Sequence, residues 1–236
     1  MRRETQNLLL LLLGGALLKI ALGGTYLRYV KPSLLPWLVL SGVVMIGLGA
    51  FAILRDVRAG GAADHHEHAS RSPWLLLLPV CAIFLVAPPA LGSDSVTRDR
   101  VAAPPPPPTE SLFPELPAEQ APLLSMSEFV TRVIWDDSGA LNGRTVRLQG
   151  FVVHPAPNAT QLARMRINCC AADAAPVKVD LAGPAAGQVT GLPADTWIEV
   201  TGTLRPGSAT DANGRVPTVD ITTVRPIPTP QDTYEY

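Results

Sequence analysis

Three long apolar runs open the chain, and short alternating stretches close it. Leu8–Leu27 supplies twenty residues interrupted only by Lys19 and Thr25. Leu34–Leu54 supplies twenty-one with no charge, and Trp74–Leu91 eighteen with no charge but with Pro79, Pro88 and Pro89. A bilayer core takes about 20 apolar residues as helix. The pattern therefore predicts membrane helices over about 8–27, 34–54 and 74–91. The prolines leave the third open to a re-entrant or interfacial arrangement. Arg2 and Arg3 would suit the start of a signal peptide, but the first run exceeds the usual 7–15 apolar residues and a second follows at once.

Positive charge in the short loops gives the expected orientation. Arg2, Arg3, Arg55, Arg58 and Arg71 fall on one side and Arg28 and Lys31 on the other. Five against two puts the N-terminus inside and the chain outside after Leu91. Lys19, read as lying mid-span, marks either a transport path or a contact with another subunit. The alternative is that its stem snorkels to an interface.

Residues 92–124 read as a linker. The unbroken Pro104–Pro108 run and Pro114, Pro117 and Pro122 favour an extended polyproline II spacer. The period then changes. Ser125-Met-Ser-Glu128 has capping-box spacing, and Phe129, Val130, Val133 and Ile134 give one apolar face to a helix over about 126–136. Thr145–Val153, Leu162–Asn168, Val177–Leu181, Trp197–Leu204 and Val216–Val224 alternate at a period of two between Gly, Pro and Asn signals. Five short strands in one domain, 125–230, fit a small all-β, OB-like barrel. Gly150 and Gly202 mark bends within strands. A short tail, 231–236, follows. The expected architecture is thus a membrane α-helical N-terminal region, residues 1–91, plus a small all-β OB-like C-terminal domain outside the cytoplasm.

Candidate chemistry concentrates at Arg166-Ile-Asn-Cys169-Cys170-Ala-Ala-Asp173. Adjacent cysteines in a strand point to opposite faces. A turn after Asn168 changes that, placing Asp173 on one face with both thiols. Two thiolates and a carboxylate make a partial site for zinc or another transition metal. Arg166 is placed to pair with Asp173 or a thiolate. A fourth ligand is not evident, and His154 is the sole histidine of the domain. Two other readings stay open. One is redox, since a bridge between neighbours is strained and easily reduced. The other is plain packing of the thiols. Cys81, inside the third apolar run, reads as a buried inert thiol. A second cluster, Asp64-His65-His66-Glu67-His68, lies between the second and third runs; His65, His66 and His68 are candidate metal ligands there, or a solvated polar loop.

Composition removes other classes. The region 125–236 carries nine Lys/Arg against eleven Asp/Glu, so nucleic acid is not an expected partner. No catalytic triad, phosphate loop, catalytic carboxylate pair or C-x-x-C motif is present, so an enzyme is not expected.

The chain resembles the YcgQ-type membrane proteins, which are described as subunits of a permease. The residues that carry the resemblance run through most of it. They are the apolar spans, the His-rich loop, Ala87-Pro-Pro-Ala-Leu-Gly-Ser93, Gly150-Phe-Val152, the Arg164–Pro176 stretch with Cys169-Cys170-Ala-Ala-Asp173-Ala, and Trp197-Ile-Glu-Val-Thr-Gly202. The tail departs: the family ends in Pro-Tyr-x-Tyr, whereas here Pro230 lies well before Tyr234-Glu-Tyr236. The resemblance implies a multi-span permease as partner within the lipid bilayer. The expected function is an accessory subunit of a membrane transport complex, with metal-ion homeostasis as its setting. The alternative is a membrane-anchored redox or metal-sensing protein acting through Cys169-Cys170.

Overall fold

A computed structural model describes residues 3–58, 89–98, 113–157 and 159–236. The third apolar run up to Pro88, Cys81 and the cluster His65, His66 and His68 lie outside the described residues. The chain forms two compact units, Met1–Ala90 and Leu91–Tyr236.

In the first unit, α1 spans Arg3–Leu22 and α2 spans Leu35–Arg58. The first helix ends five residues earlier than its apolar run, because Gly23 and Gly24 follow Leu22 and Gly24 adopts φ 73°, a left-handed stop. Lys19 is consequently in the last turn of α1 rather than mid-span. A positive charge there faces the negative end of the helix dipole. The helical run Pro32–Arg58 is the one described helix long and apolar enough to cross a membrane. Its 27 residues reach about 40 Å, against about 30 Å of bilayer core. The two helices pack through small residues. A Cβ on Gly14 would lie 2.8 Å from the Gly42 carbonyl, so the backbones touch where side chains are missing. The opposite side of α2 exposes Trp37, Leu40, Leu48, Phe51 and Leu54.

The second unit begins with α3, Ser93–Arg98, then α4, Met126–Trp135, and a six-stranded mixed sheet. The strands are β1 Thr145–Ala156, β2 Ala159–Arg166, β3 Ala175–Ala182, β4 Trp197–Leu204, β5 Thr218–Pro226 and β6 Tyr234–Glu235. A short helix, α5 (Ala186–Thr190), joins β3 to β4. The order is β1-β4-β5-β3-β2-β6, and β1 also pairs with β2. β1 meets β4 over Thr145–Phe151 and β2 from Phe151 onward, so the pairings return to their start. Gly150 stands where the strand changes partners. A Cβ there would lie 2.5 Å from the Ala163 carbonyl, a distance that admits no side chain.

The core lies inside this sheet. Val146, Leu148, Val152, Leu162, Val179, Ile198, Val200, Val219 and Ile221 meet Met126, Phe129 and Val130 of α4 and Val189 of α5. The apolar face expected on α4 is thus the face buried. Half of the capping box forms: Ser125 Oγ accepts from Glu128 N at 3.0 Å. Glu128 instead turns its carboxylate to the buried Arg132, at 3.0 Å from Nε.

Both described ends of the stretch read as a spacer belong to this unit. Val96 of α3 is buried, and α3 packs on β1, β2 and β3. Ser93 donates through N and Oγ to Asp195 at 2.6 and 2.8 Å. At the other end, Arg132 donates to Pro114 O, Arg144 to Pro117 O and Glu119 O, and Arg147 to Ala121 O. Extended proline-rich chain leaves its carbonyls without internal partners, and three arginines of the domain satisfy them. The tail is also structural. Tyr234 is fully buried, β6 pairs parallel with β2, and the Tyr234 hydroxyl accepts from Leu91 N at 3.1 Å.

Candidate functional site

The strand β2 ends at Arg166, and the chain turns before β3 begins at Ala175. Ile167, buried, anchors the exit, while Asn168 and Cys169 are exposed and Cys170 half-buried. The turn Ala171–Asp173 is a single 3-10 turn with Cys170 at its N-cap position. Asp173 closes the loop on itself. Its Oδ1 accepts from Asn168 N at 2.8 Å, and its Oδ2 accepts from Cys169 N at 2.9 Å and Cys170 N at 3.4 Å. One carboxylate thus gathers three consecutive amides, which fixes the backbone of both cysteines.

That turn brings Cys169, Cys170 and Asp173 together. The two sulfurs are 3.5 Å apart, and one donor atom from each of the three residues lies within 4.8 Å of the others. Both cysteines are free thiols. Hydrogen bonding to the Asp173 carboxylate, then to the Cys170 thiol, pushes the Cys169 thiol up to about 12. The same contact with Cys169, followed by the amide of Asn168, holds Asp173 down at about 2. Cys169 is therefore a neutral thiol and Asp173 an anion at physiological pH. A neutral thiol is a poor nucleophile. A cation placed between the sulfurs and the carboxylate would displace the thiol protons.

Arg166 stands apart from this contact set. It pairs in β2 with Ala175 and in register with Glu235, its buried Nε makes no hydrogen bond, and no ion pair joins it to Asp173 among the described residues. Its neighbour Arg164 is the organising arginine. It donates to Asp232 O at 2.9 Å and lies 5.3 Å from the centre of the Trp197 ring. His154 is in β1, its Nε2 2.9 Å from Leu192 O, and no histidine joins the thiol group among the described residues. Lys19 lies in the other compact unit.

Sequence reading passed over Glu235. Its carboxylate accepts from Met126 N at 2.8 Å and Ser127 N at 2.7 Å, at the N-terminus of α4. The acidic residue between two tail aromatics was the available signal, but its target lies more than a hundred positions away in sequence.

Residues 5–101 match the DUF1980 N-terminal domain, and residues 126–236 match the DUF1980 C-terminal domain. The chain is a member of the DUF1980 family. The two matched domains leave only the first four residues and 102–125 uncovered, and the Cys169-Cys170-Asp173 loop falls within the DUF1980 C-terminal domain. No curated protein and no solved structure matches this DUF1980 chain.

Proposed function

We propose that this protein is a membrane-anchored accessory subunit of a permease, and that its C-terminal domain handles a metal ion at Cys169, Cys170 and Asp173. The observation that carries the metal reading is the gathering of two free thiols and a carboxylate within 4.8 Å on one fixed turn. Membrane anchoring draws support from the long apolar helix Pro32–Arg58. In this reading the chain crosses the bilayer more than once. The five-against-two distribution of loop cations puts the C-terminal domain outside. The ring of pairings β1-β2-β3-β5-β4 supports an OB-like barrel for that domain. The permease partner rests on the resemblance to YcgQ-type proteins alone.

The test is metal content and thiol titration of the full chain, purified anaerobically in detergent. One bound metal per chain, lost on Cys169→Ser/Cys170→Ser, supports the reading. In a Cys81→Ser background, two free thiols with no metal, also after incubation with Zn²⁺, would remove it. Loss of a co-purifying multi-span permease on Lys19→Leu would support the subunit role.

A second reading has its own observation. Sulfurs 3.5 Å apart need to close to about 2.05 Å to bridge. A disulfide between neighbours, formed by exchange with a partner disulfide, would make the domain a thiol sensor. Loss of two hydrogen atoms per chain by mass under an oxidising glutathione buffer, the glutathione disulfide taking up both, reversed by dithiothreitol, identifies that outcome.

A further inference from the structure

The spacing of the three donors carries more than the presence of a ligand set. With metal–sulfur bonds of about 2.3 Å, a sulfur separation of 3.5 Å sets an S–metal–S angle of roughly 100°. That is the bent angle of a four-coordinate ion. A linear two-coordinate ion would need the sulfurs about 4.6 Å apart, twice that bond length. Reaching that separation within one chain requires opening the sulfur contact by about 1 Å.

The backbone that carries the thiols is fixed. Adjacent Cα atoms are about 3.8 Å apart, and the bonds from Asn168 N, Cys169 N and Cys170 N to Asp173 hold both cysteines in one frame. Asp173 retains capacity as a ligand. Each carboxylate oxygen has two acceptor directions, and Oδ1 uses one, on Asn168 N. The fourth vertex is open, because Cys169 is exposed and no further His, Cys, Asp or Glu joins the group among the described residues. Sites that keep a metal for structure close all four positions with protein ligands, whereas open sites admit an outside ligand.

We infer that the Cys169-Cys170-Asp173 turn is a three-donor, open-sided site for a tetrahedral divalent cation of the zinc class, held as cargo and exchanged through its solvent-facing fourth position. The inference rests on the metal reading above and deepens it. Loading exchanges two thiol protons for the cation, the protons passing to solvent: the two Cys–SH groups become thiolates, the metal gains two sulfur bonds, and no electron moves.

The test uses the full chain in detergent with Cys81→Ser, so that Cys169 and Cys170 are the remaining thiols, and Co²⁺ as probe. One Co²⁺ per chain is expected, with thiolate-to-metal charge transfer in the near ultraviolet and the intense visible bands of a four-coordinate ion. Zn²⁺ bleaches these bands, and added imidazole shifts them by entering the fourth position. Asp173→Asn keeps the thiolate bands and weakens Co²⁺ binding at least about tenfold. Loss of the charge-transfer band in Cys169→Ser and in Cys170→Ser separates this site from weak binding at His65, His66 and His68. One Ag⁺ per chain, held by both thiols, with no Co²⁺ bands would overturn the bent geometry and leave the metal reading standing. Bands indifferent to imidazole would overturn exchange. Thiols that stay free against both ions would sink this inference and the metal reading together.

Discussion

Removing the Glu235 carboxylate should destabilise the C-terminal unit more than any surface charge does. Glu235 is only 7% exposed, and its two oxygens accept from Met126 N and Ser127 N at 2.8 and 2.7 Å. Those amides belong to the first turn of α4, which has no intrahelical partner for them. Ser125 Oγ satisfies Glu128 N, and the other two are bonded to Glu235. A hydrogen bond to a charged group contributes about 1.5–3 kcal/mol. Ser127 N is only partly buried and can recover water, so Glu235→Ala should cost about 2–4 kcal/mol in all. For a unit of this size each kcal/mol lowers the melting temperature by about 2–4 °C, giving a drop of roughly 5–15 °C. Glu235→Gln should lose about half as much, because one amide oxygen still accepts while the NH2 group faces a second donor. The assay is calorimetry of the full chain in detergent, with amide exchange at Met126 and Ser127. Asp211→Ala is the control: its carboxylate, 86% exposed, pairs with Arg215 and should change stability by under about 1 kcal/mol. A Glu235→Ala protein that melts with wild type, with unchanged exchange at both amides, would refute the assignment of Glu235 as the cap.

Three further outcomes follow from the same packing. Gly150→Ala forces a Cβ to 2.5 Å from the Ala163 carbonyl, so β1 must shift against β2; a loss of about 1–3 kcal/mol in urea unfolding is expected, and an unchanged midpoint would contradict the close approach. A fragment starting at residue 120 lacks Val96, the Ser93 bonds to Asp195, and Pro114 and Pro117 as acceptors for Arg132 and Arg144; it should be about 2–4 kcal/mol less stable than one starting at residue 89, and equal stability would show these segments to be passive. Burial pushes Glu199 up, but hydrogen bonds from Gln149 and Arg225 and the charges of Arg225 and Arg147 outweigh it and hold the carboxyl below its usual 4.5. Its stabilising contribution is then present above pH 4.5 and lost as pH falls below it, so the acid limb of stability should flatten in Glu199→Gln; an unaltered limb below pH 4.5 would reject this.

Much of this protein is legible in one dimension because the relevant physics is local. The uncharged run Leu34–Leu54 specifies an apolar helix by composition alone. The run Trp197–Leu204 reads as a strand and is β4 over the same residues. The capping spacing at Ser125 and the apolar face of Phe129 and Val130 locate α4. Asp173 could be placed beside both cysteines because a turn of three or four residues is set by neighbouring dihedrals.

Tertiary structure decided what depends on partners distant in sequence. Polyproline runs predict extension, but not that Arg132, Arg144 and Arg147 bind their carbonyls and tie residues 114–121 to the domain. Tyr234 and Glu235 look like a free tail until β2 offers an edge and α4 offers two amides. Arg166 and Arg164 are equivalent by alternation, yet only Arg164 meets carbonyls of the returning chain. The sequence by itself determined the long apolar helix, α4, the five longer strands and which three side chains share the cysteine turn, since those follow from periodicity and short-range geometry. Only the closed fold decided that both described ends of the spacer are bound and what caps α4, because Ser93 meets Asp195, and Glu235 meets the amides of α4, only after residues about a hundred positions apart have been brought within 3 Å of one another.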